Sequence, residues 1–330
     1  MATNKHRVTT PLAGNRVEFI MVGTIRVSLN LKNFSLPFST KRNSDTAKPK
    51  PASSFRVNQF DIFFNGKRYA PQEKNKEICI EGEKERMILR PGMVLLKKFL
   101  THDEQGWLNA QGRDSNSNSY LSRRVEIVKI CRELGLGPGG FYRPSYENGA
   151  KLRLHMMCLG LDWDPQTGKY GNKRLVDGSN PPSIPERFRK LVVKAIQEAQ
   201  YLIRKECRVS YAERILPSMS PDICIVNFYN NYGRLGLHKD RDETPESIQK
   251  GLPVVSFSIG DSAEFIYGDH RDVDKAENAV LDSGDVVIFG GVSRLIFHGV
   301  SSIIPNSAPK KLLQDIMLSP GRLNLTFRQY

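Results

Sequence analysis

The stretch Asn227-Phe-Tyr-Asn-Asn-Tyr-Gly-Arg-Leu-Gly-Leu-His-Lys-Asp-Arg-Asp-Glu243 decides how this chain is read. It closes an alternating, strand-like run from Ile223 to Tyr229, turns through Asn230-Asn-Tyr-Gly233, and sets His238 and Asp240 two positions apart. Residues i and i+2 of extended backbone point to the same side. An imidazole and a carboxylate at that spacing can therefore reach one metal ion. Far downstream, His298 in Ser293-Arg-Leu-Ile-Phe-His-Gly299 offers a second imidazole. Two histidines and one carboxylate are the facial ligand set of non-haem iron(II) sites, which keep positions open for oxygen and a co-substrate. An HxD pair alone occurs by chance in many loops, and a single histidine is more often a structural residue. The weight falls on the flanking blocks.

The composition is that of a soluble globular protein, 39% hydrophobic and 25% charged, with enough apolar material for a core. At 330 residues it has room for two average domains, or for one large β-rich domain with extensions. No apolar run is long enough for a spanning helix. The formal charge of +14 favours a polyanionic partner such as nucleic acid. Residues 1–57 hold ten Lys or Arg against Glu18 and Asp45, so +8 sits there and +6 remains for the rest. The five cysteines, Cys79, Cys131, Cys158, Cys207 and Cys224, are odd in number and lack a CxxC pair. That pattern argues for reduced thiols of an intracellular protein rather than a zinc site or disulfide framework.

Taken in order, residues 1–57 read as a basic, disordered tail or targeting segment, with one strand-like patch at Val17–Val27 and a linker at Lys48–Ser54. The acid-poor opening fits an organellar transit peptide, for chloroplast or mitochondrion. It lacks an amphipathic Arg-rich helix, however, which leaves nucleus and cytoplasm open. Residues 58–150 form an extension with helices. Asp61–Phe64 and Met93–Leu96 read as extended, Thr101 caps a helix running past Trp107, and Leu121–Leu136 shows helical spacing. The Gly135-Leu-Gly-Pro-Gly-Gly140 run matches GxGxxG only formally, because a helix precedes it and Pro138 interrupts it. It is a helix stop. Residues 151–221 carry a strand at Lys151–Leu161, a turn-rich loop with Trp163 and Tyr170, and a helix opened by Ser183, Pro185 and Glu186 that runs to about Lys205. Residues 222–330 hold strands at 222–229, 253–259, 263–267, 278–281, 285–290, 293–298 and 322–328. Helices first and short strands later predict an α+β protein with a β-sandwich core. No HExxH, GxSxG or Walker loop competes with the His238–Asp240–His298 set.

Residues 222–330 resemble the AlkB family of iron(II)- and 2-oxoglutarate-dependent dioxygenases. The resemblance rests on six blocks in the family's order. These are Asn227–Tyr229, Leu237–Asp240 with Asp242-Glu243, Pro253–Gly260, Ser283–Gly291, Ser293–Gly299 and Arg322–Gln329. Upstream, Cys158-Leu-Gly160 with Trp163 and Tyr170 sits where the family places a nucleotide-recognition lid. The length of this upstream part is most similar to the AlkB homologue one group, plant members included.

The resemblance implies a double-stranded β-helix, or jelly roll, with flanking helices, in which His238, Asp240 and His298 bind Fe(2+). It implies that Arg322 pairs with the distal carboxylate of 2-oxoglutarate, while Arg328, Asn324, Asn227 and Tyr229 complete that pocket. The spacing agrees. Arg322, Asn324 and Arg328 share one side of a strand, and a guanidinium presents the fixed fork of donors that a carboxylate needs. The implied chemistry uses O2, turns 2-oxoglutarate into succinate and carbon dioxide, and hydroxylates an N-methyl group that then leaves as formaldehyde. The implied substrate is a base of DNA or RNA, such as N6-methyladenine or N1-methyladenine, or an alkylated base under repair. That base is flipped out or single-stranded, Trp163 and Tyr170 line its pocket or pack under the lid, and Asp242 contacts it or caps a solvated turn. Arg241, Arg271 and Arg294 meet the phosphate backbone or pair within the protein. The segment Ile304–Pro320 is longer than in the shortest bacterial members and is expected to alter the rim beside the metal. A monomer without membrane attachment is expected. Two other readings stand beside this one: a dioxygenase of a protein or small molecule, and a nucleic-acid-binding protein that has lost catalysis.

Overall fold

A strand whose odd and even positions differ in character must lie between two unlike environments, and the terminal strand of this chain does so. The computed structural model describes residues 60–63, 86–100, 123–145 and 149–330, all within one compact unit, Ser54–Tyr330. The tail 1–57 with its Val17–Val27 patch, the Thr101 helix and most of the 58–150 extension lie outside the described residues. The described elements are β1 (Arg86–Arg90), β2 (Met93–Leu96), α1 (Arg123–Leu136), β3 (His155–Gly160), β4 (Asp162–Asp164) and β5 (Lys169–Gly171). They continue with α2 (Glu186–Cys207), β6 (Ile223–Tyr229), β7 (Leu235–His238), α3 (Pro245–Gln249), β8 (Val254–Gly260) and β9 (Ser262–Gly268). The last are β10 (Glu277–Leu281), β11 (Val286–Phe289), β12 (Phe297–Ile304), α4 (Lys310–Ile316) and β13 (Arg322–Arg328).

Among the described residues, seven strands form a large sheet in the order β1-β2-β11-β8-β13-β6-β3, four form a small one in the order β10-β9-β12-β7, and β4 pairs only with β5. All strand pairings are antiparallel. Leu323, Leu325 and Phe327 of β13 join Val255, Phe257 and Ile259 of β8 in a core that also takes Phe188, Val192, Ala195 and Ile196 of α2. On the opposite side of the large sheet, Ile223, Ile225 and Tyr229 of β6 meet Ala263, Val300 and Ile303 of the small sheet. A third cluster joins Met93, Leu95 and Phe289 to Phe265 and Tyr267. The two sheets thus enclose an interior, and the helices back the large sheet. This is the jelly-roll core with flanking helices expected of the sequence.

Helix α2 forms where the 3.6-residue apolar stripe predicts it, with its apolar face buried. Pro185 serves as its N-cap without a side-chain bond, so Ser183 is not the cap. The glycine run after α1 is indeed a helix stop, closed by bonds from Gly137 and Phe141 back to Leu134 and Gly135. Several expectations need correction. Residues 293–298 are not a strand: a 3-10 turn occupies Gly291–Ser293 and β12 begins only at Phe297. Phe63 makes an isolated bridge with Leu318 rather than a strand. The loop with Trp163 and Tyr170 is a hairpin, in which those two residues face each other as a cross-strand pair. Within Ile304–Pro320, Leu312, Ile316 and Leu318 join the helix-backed core and α4 packs beside α1. Among the described residues, no helix is long and apolar enough to cross a membrane.

Phe327, 1% exposed, meets Phe257 and Phe188 edge-on with ring centroids 5.6 and 6.1 Å apart, linking β13 to β8 and α2. Replacing it by Ala removes that link and leaves a cavity. Phe327→Ala is expected to lower the unfolding free energy by about 3–5 kcal/mol in a urea titration. A loss below about 1 kcal/mol would contradict this packing.

Candidate active site

β7 and β12 run side by side with His238 and His298 as register partners, so the two imidazoles meet across the small sheet. Their ring centroids lie 4.4 Å apart. Gly299 permits that approach, since a Cβ there would stand 2.6 Å from the Leu235 carbonyl oxygen. Each ring is oriented from behind: His238 Nδ1 lies 2.9 Å from the Gly236 carbonyl and His298 Nδ1 lies 3.2 Å from that of Ile296. An Nδ1–H donated to a carbonyl leaves the Nε2 lone pair free for a metal. The two Nε2 atoms face opposite oxygens of Asp240, at 3.6 Å from His238 and 3.7 Å from His298. One ligand atom from each of the three residues falls within 4.8 Å of the others. The sequence's metal set therefore converges in space.

Electrostatics keep the carboxylate ionised. Burial alone would raise the Asp240 pKa, but the Arg328 guanidinium and the two imidazoles hold it well below the usual carboxylate range. Burial pushes His298 down to about 4, which keeps it neutral. In His238 the same burial effect is outweighed by the bond and charge of Asp240, and its pKa is raised.

The interior side of β13 carries the polar residues picked out by spacing. Arg322 is 2% exposed and stands over Tyr229, 5.6 Å from the ring centroid. Its Nη2 donates to Ser258 Oγ at 2.9 Å, whereas Nε and Nη1 are buried with no partner among the described residues. Gly321, at φ 140°, lets the chain reach this residue, because a Cβ there would lie 2.1 Å from the Tyr229 carbonyl oxygen. Asn324 donates to Ser256 Oγ and the Phe257 carbonyl and accepts from Thr326. Asn227, its register partner on β6, has a buried side-chain amide oxygen without a partner among the described residues. A buried guanidinium with unused donors is costly unless an anion completes it. This donor set fits a dicarboxylate such as 2-oxoglutarate, just as two imidazoles and a carboxylate fit iron(II). Arg328 departs from a plain co-substrate role, since Nε and Nη2 both bond Asp240 Oδ2, at 2.9 and 2.6 Å.

The β4–β5 hairpin leans on the segment that follows the metal ligands. Trp163 Nε1 donates to Asp242 Oδ2 at 2.9 Å and the Tyr170 hydroxyl donates to Glu243 Oε1 at 3.1 Å. Trp163, Tyr170 and Asp242 are thus brought together. Arg294 is 3% exposed and pairs with Glu243 at 2.8 Å, also donating to the carbonyls of Asp240 and Leu252. It is an internal support rather than a phosphate contact; Arg241 and Arg271 are exposed. Sequence reasoning missed Glu243 as a site residue. Its only signal was its place in the block after Asp240, because its partners lie 51 to 85 positions further on or 73 positions earlier.

Residues 117–328 match the family model of the 2OG-Fe(II) oxygenase superfamily. An AlkB homologue of Caulobacter vibrioides, an alpha-ketoglutarate-dependent dioxygenase by name, is 41% identical over 63% of this chain and 82% of its own length. The chain belongs to the AlkB family. That family is one of iron(II)- and 2-oxoglutarate-dependent dioxygenases. The Arabidopsis thaliana protein ALKBH1D, a DNA N(6)-methyladenine demethylase, is 58% identical over 78% of this chain and 53% of its own. The chain spans about half the length of such plant relatives. The solved structure of OsALKBH1 is 55% identical, with a TM-score of 0.65 over 74% of this chain and all of that one. These likenesses place this member of the AlkB family in the plant homologue one group.

On the face of the hairpin opposite Trp163, Asp162 is 4% exposed and takes the Cys158 thiol as a partner. Burial pushes its carboxyl up to about 6, against the opposing charge of Arg174. A folded-state pKa raised above the unfolded value means that ionised Asp162 costs stability above about pH 6, a cost relieved as pH falls. Asp162→Asn is expected to gain about 1–2 kcal/mol at pH 8 in denaturant titrations. The gain should shrink below pH 6 and vanish near pH 4, and a gain independent of pH would contradict the assignment.

Proposed function

We propose that this chain is an oxidative demethylase that removes N-methyl groups from nucleic-acid bases. The observation that carries the reading is the frame beside the metal ligands. Two aromatics on a hairpin, Trp163 and Tyr170, are bonded to two carboxylates, Asp242 and Glu243, that lie two and three residues beyond Asp240. Aromatic faces stack any base, and a carboxylate two residues beyond a ligand can accept from an exocyclic amine. The charge of +14 suits a polyanion, and the name of ALKBH1D points the same way. N6-methyladenine in DNA is the substrate this relative suggests; N1-methyladenine in RNA or an alkylated base under repair is met by the same frame.

In this reading His238, Asp240 and His298 hold the iron, and their Nδ1–H and carboxylate partners fix its position. Bound iron(II), with 2-oxoglutarate and O2, supplies the oxidation of a C–H bond while the 2-oxo acid becomes succinate and carbon dioxide. Arg322 binds the distal carboxylate of 2-oxoglutarate with the donors it does not spend on Ser258. Asn227, Tyr229 and Asn324 line that pocket, and Arg328 reaches it with the Nη1 left over from Asp240. Burial of these groups excludes water and strengthens each charge interaction. Trp163, Tyr170 and Asp242 hold the flipped base with its methyl group toward the iron. The hydroxymethyl product then loses formaldehyde, its oxygen-bound proton returning to the base nitrogen.

Purified protein with iron(II), ascorbate and 2-oxoglutarate, assayed by mass spectrometry on methylated DNA and RNA oligonucleotides, tests this directly. Loss of one type of N-methyl mark, reduced more than about 100-fold in His238→Ala, is the expected result. Succinate formation without demethylation of any oligonucleotide would overturn the substrate class.

A further inference from the structure

Glu243 is the carboxylate at which three separate parts of the fold meet. Its side chain is 1% exposed. Oε1 accepts from the Tyr170 hydroxyl at 3.1 Å, on the hairpin, and lies 3.2 Å from Arg328 Nε, on β13. Oε2 accepts from Arg294 Nη2 at 2.8 Å, and Arg294 in turn holds the Asp240 carbonyl at 2.6 Å. Two carboxylates, Asp240 and Glu243, and two guanidiniums, Arg294 and Arg328, balance in charge within this buried cluster. Arg328 Nη1 stays buried without a partner among the described residues.

We propose that Glu243 is a positioning residue that couples the seating of the β4–β5 hairpin to 2-oxoglutarate binding through Arg328. The inference rests on the co-substrate site proposed above. A guanidinium is planar and rigid, so fixing Nε and Nη2 fixes the direction of Nη1. Asp240 and Glu243 do the fixing, and Nη1 is the donor that remains for the co-substrate. Tyr170 bonds the same oxygen of Glu243 that faces Arg328 Nε. When the hairpin is seated, that oxygen is held in place; when it lifts, Glu243 loses one of its restraints and Arg328 loses its alignment. Coupling of this kind is reciprocal, so bound 2-oxoglutarate favours the seated hairpin. Glu243 touches neither metal nor reacting atoms in this scheme.

The test is a double-mutant cycle on the full chain loaded with manganese(II), which stands in for iron, with 2-oxoglutarate titrated by calorimetry. Tyr170→Phe is expected to weaken 2-oxoglutarate binding about three- to ten-fold. Glu243→Gln should weaken it at least as much, and adding Tyr170→Phe to Glu243→Gln should change it no further. Effects that multiply in the double variant, or an unchanged affinity in Tyr170→Phe, would overturn the proposal. Should Glu243→Gln fail to fold, Trp163 emission decides, read with Trp107→Phe present throughout so that Trp163 is the single tryptophan. It should shift on 2-oxoglutarate addition in the manganese-loaded wild type and not in Tyr170→Phe, and an equal shift in both would overturn the coupling. A wild type that binds no 2-oxoglutarate would overturn the co-substrate site and, with it, this inference.

Discussion

A guanidinium and a carboxylate buried together, Arg328 and Asp240, form the contact on which the architecture of the site depends. Taking either charge out of water unpaired costs several kcal/mol, so each is committed to the other, and they belong to different sheets. Arg328 ends β13 of the large sheet, and Asp240 follows β7 of the small one. Their bonds at 2.6 and 2.9 Å hold the two sheets in register at one end of the sandwich. The same pairing keeps Asp240 ionised and aims its two oxygens at the two imidazoles. A candidate metal site, a sheet-to-sheet contact and the donor proposed for the co-substrate therefore share one ion pair.

Behind that pair lies a division of labour along single strands. β13 and β8 send Leu323, Leu325, Phe327, Val255, Phe257 and Ile259 to the helix-backed core. Their alternate residues build a hydrogen-bonded layer from Arg322, Asn324, Thr326, Ser256 and Ser258 on the other side. A polar layer inside a protein is tolerable when each member finds a partner. Here most do, and the exceptions lie where a ligand is expected: Arg322, Arg328 and Asn227. The stability supplied by the apolar side lets the interior side keep unsatisfied donors.

Legibility in the sequence followed the range of the interactions. β13 is found at the residues expected, because strict alternation over seven positions leaves one register. α2 was visible from its apolar stripe, and the metal set from its residue types together with the flanking blocks. β7 was hidden, being four residues long with Gly236 inside it and a turn before it. β12 was placed early because Leu295, Ile296 and Phe297 look strand-like, while the chain actually turns at Gly291–Ser293 to bury Arg294. The pairings of Glu243 with Tyr170, Arg294 and Arg328 join residues far apart in sequence, and no local pattern encodes them. Of the two readings open for Arg294, a phosphate contact or a pairing within the protein, the structure shows the second, a buried brace. The Trp163–Tyr170 pairing escapes the sequence for a milder reason: the segment reads as a turn-rich loop because the strands it joins are only three residues long.

The central claim is that His238, Asp240 and His298 bind iron(II) while Arg322 anchors 2-oxoglutarate beside it. Anaerobic titration of metal-free protein with iron(II) and then 2-oxoglutarate, followed by visible absorption, tests it most directly. The account predicts one iron per chain and a charge-transfer colour that develops only when 2-oxoglutarate is added. Arg322→Ala should still bind the iron yet stay colourless at the same 2-oxoglutarate concentration. Colour of full intensity in Arg322→Ala, or iron binding that survives replacement of both His238 and His298, would contradict it.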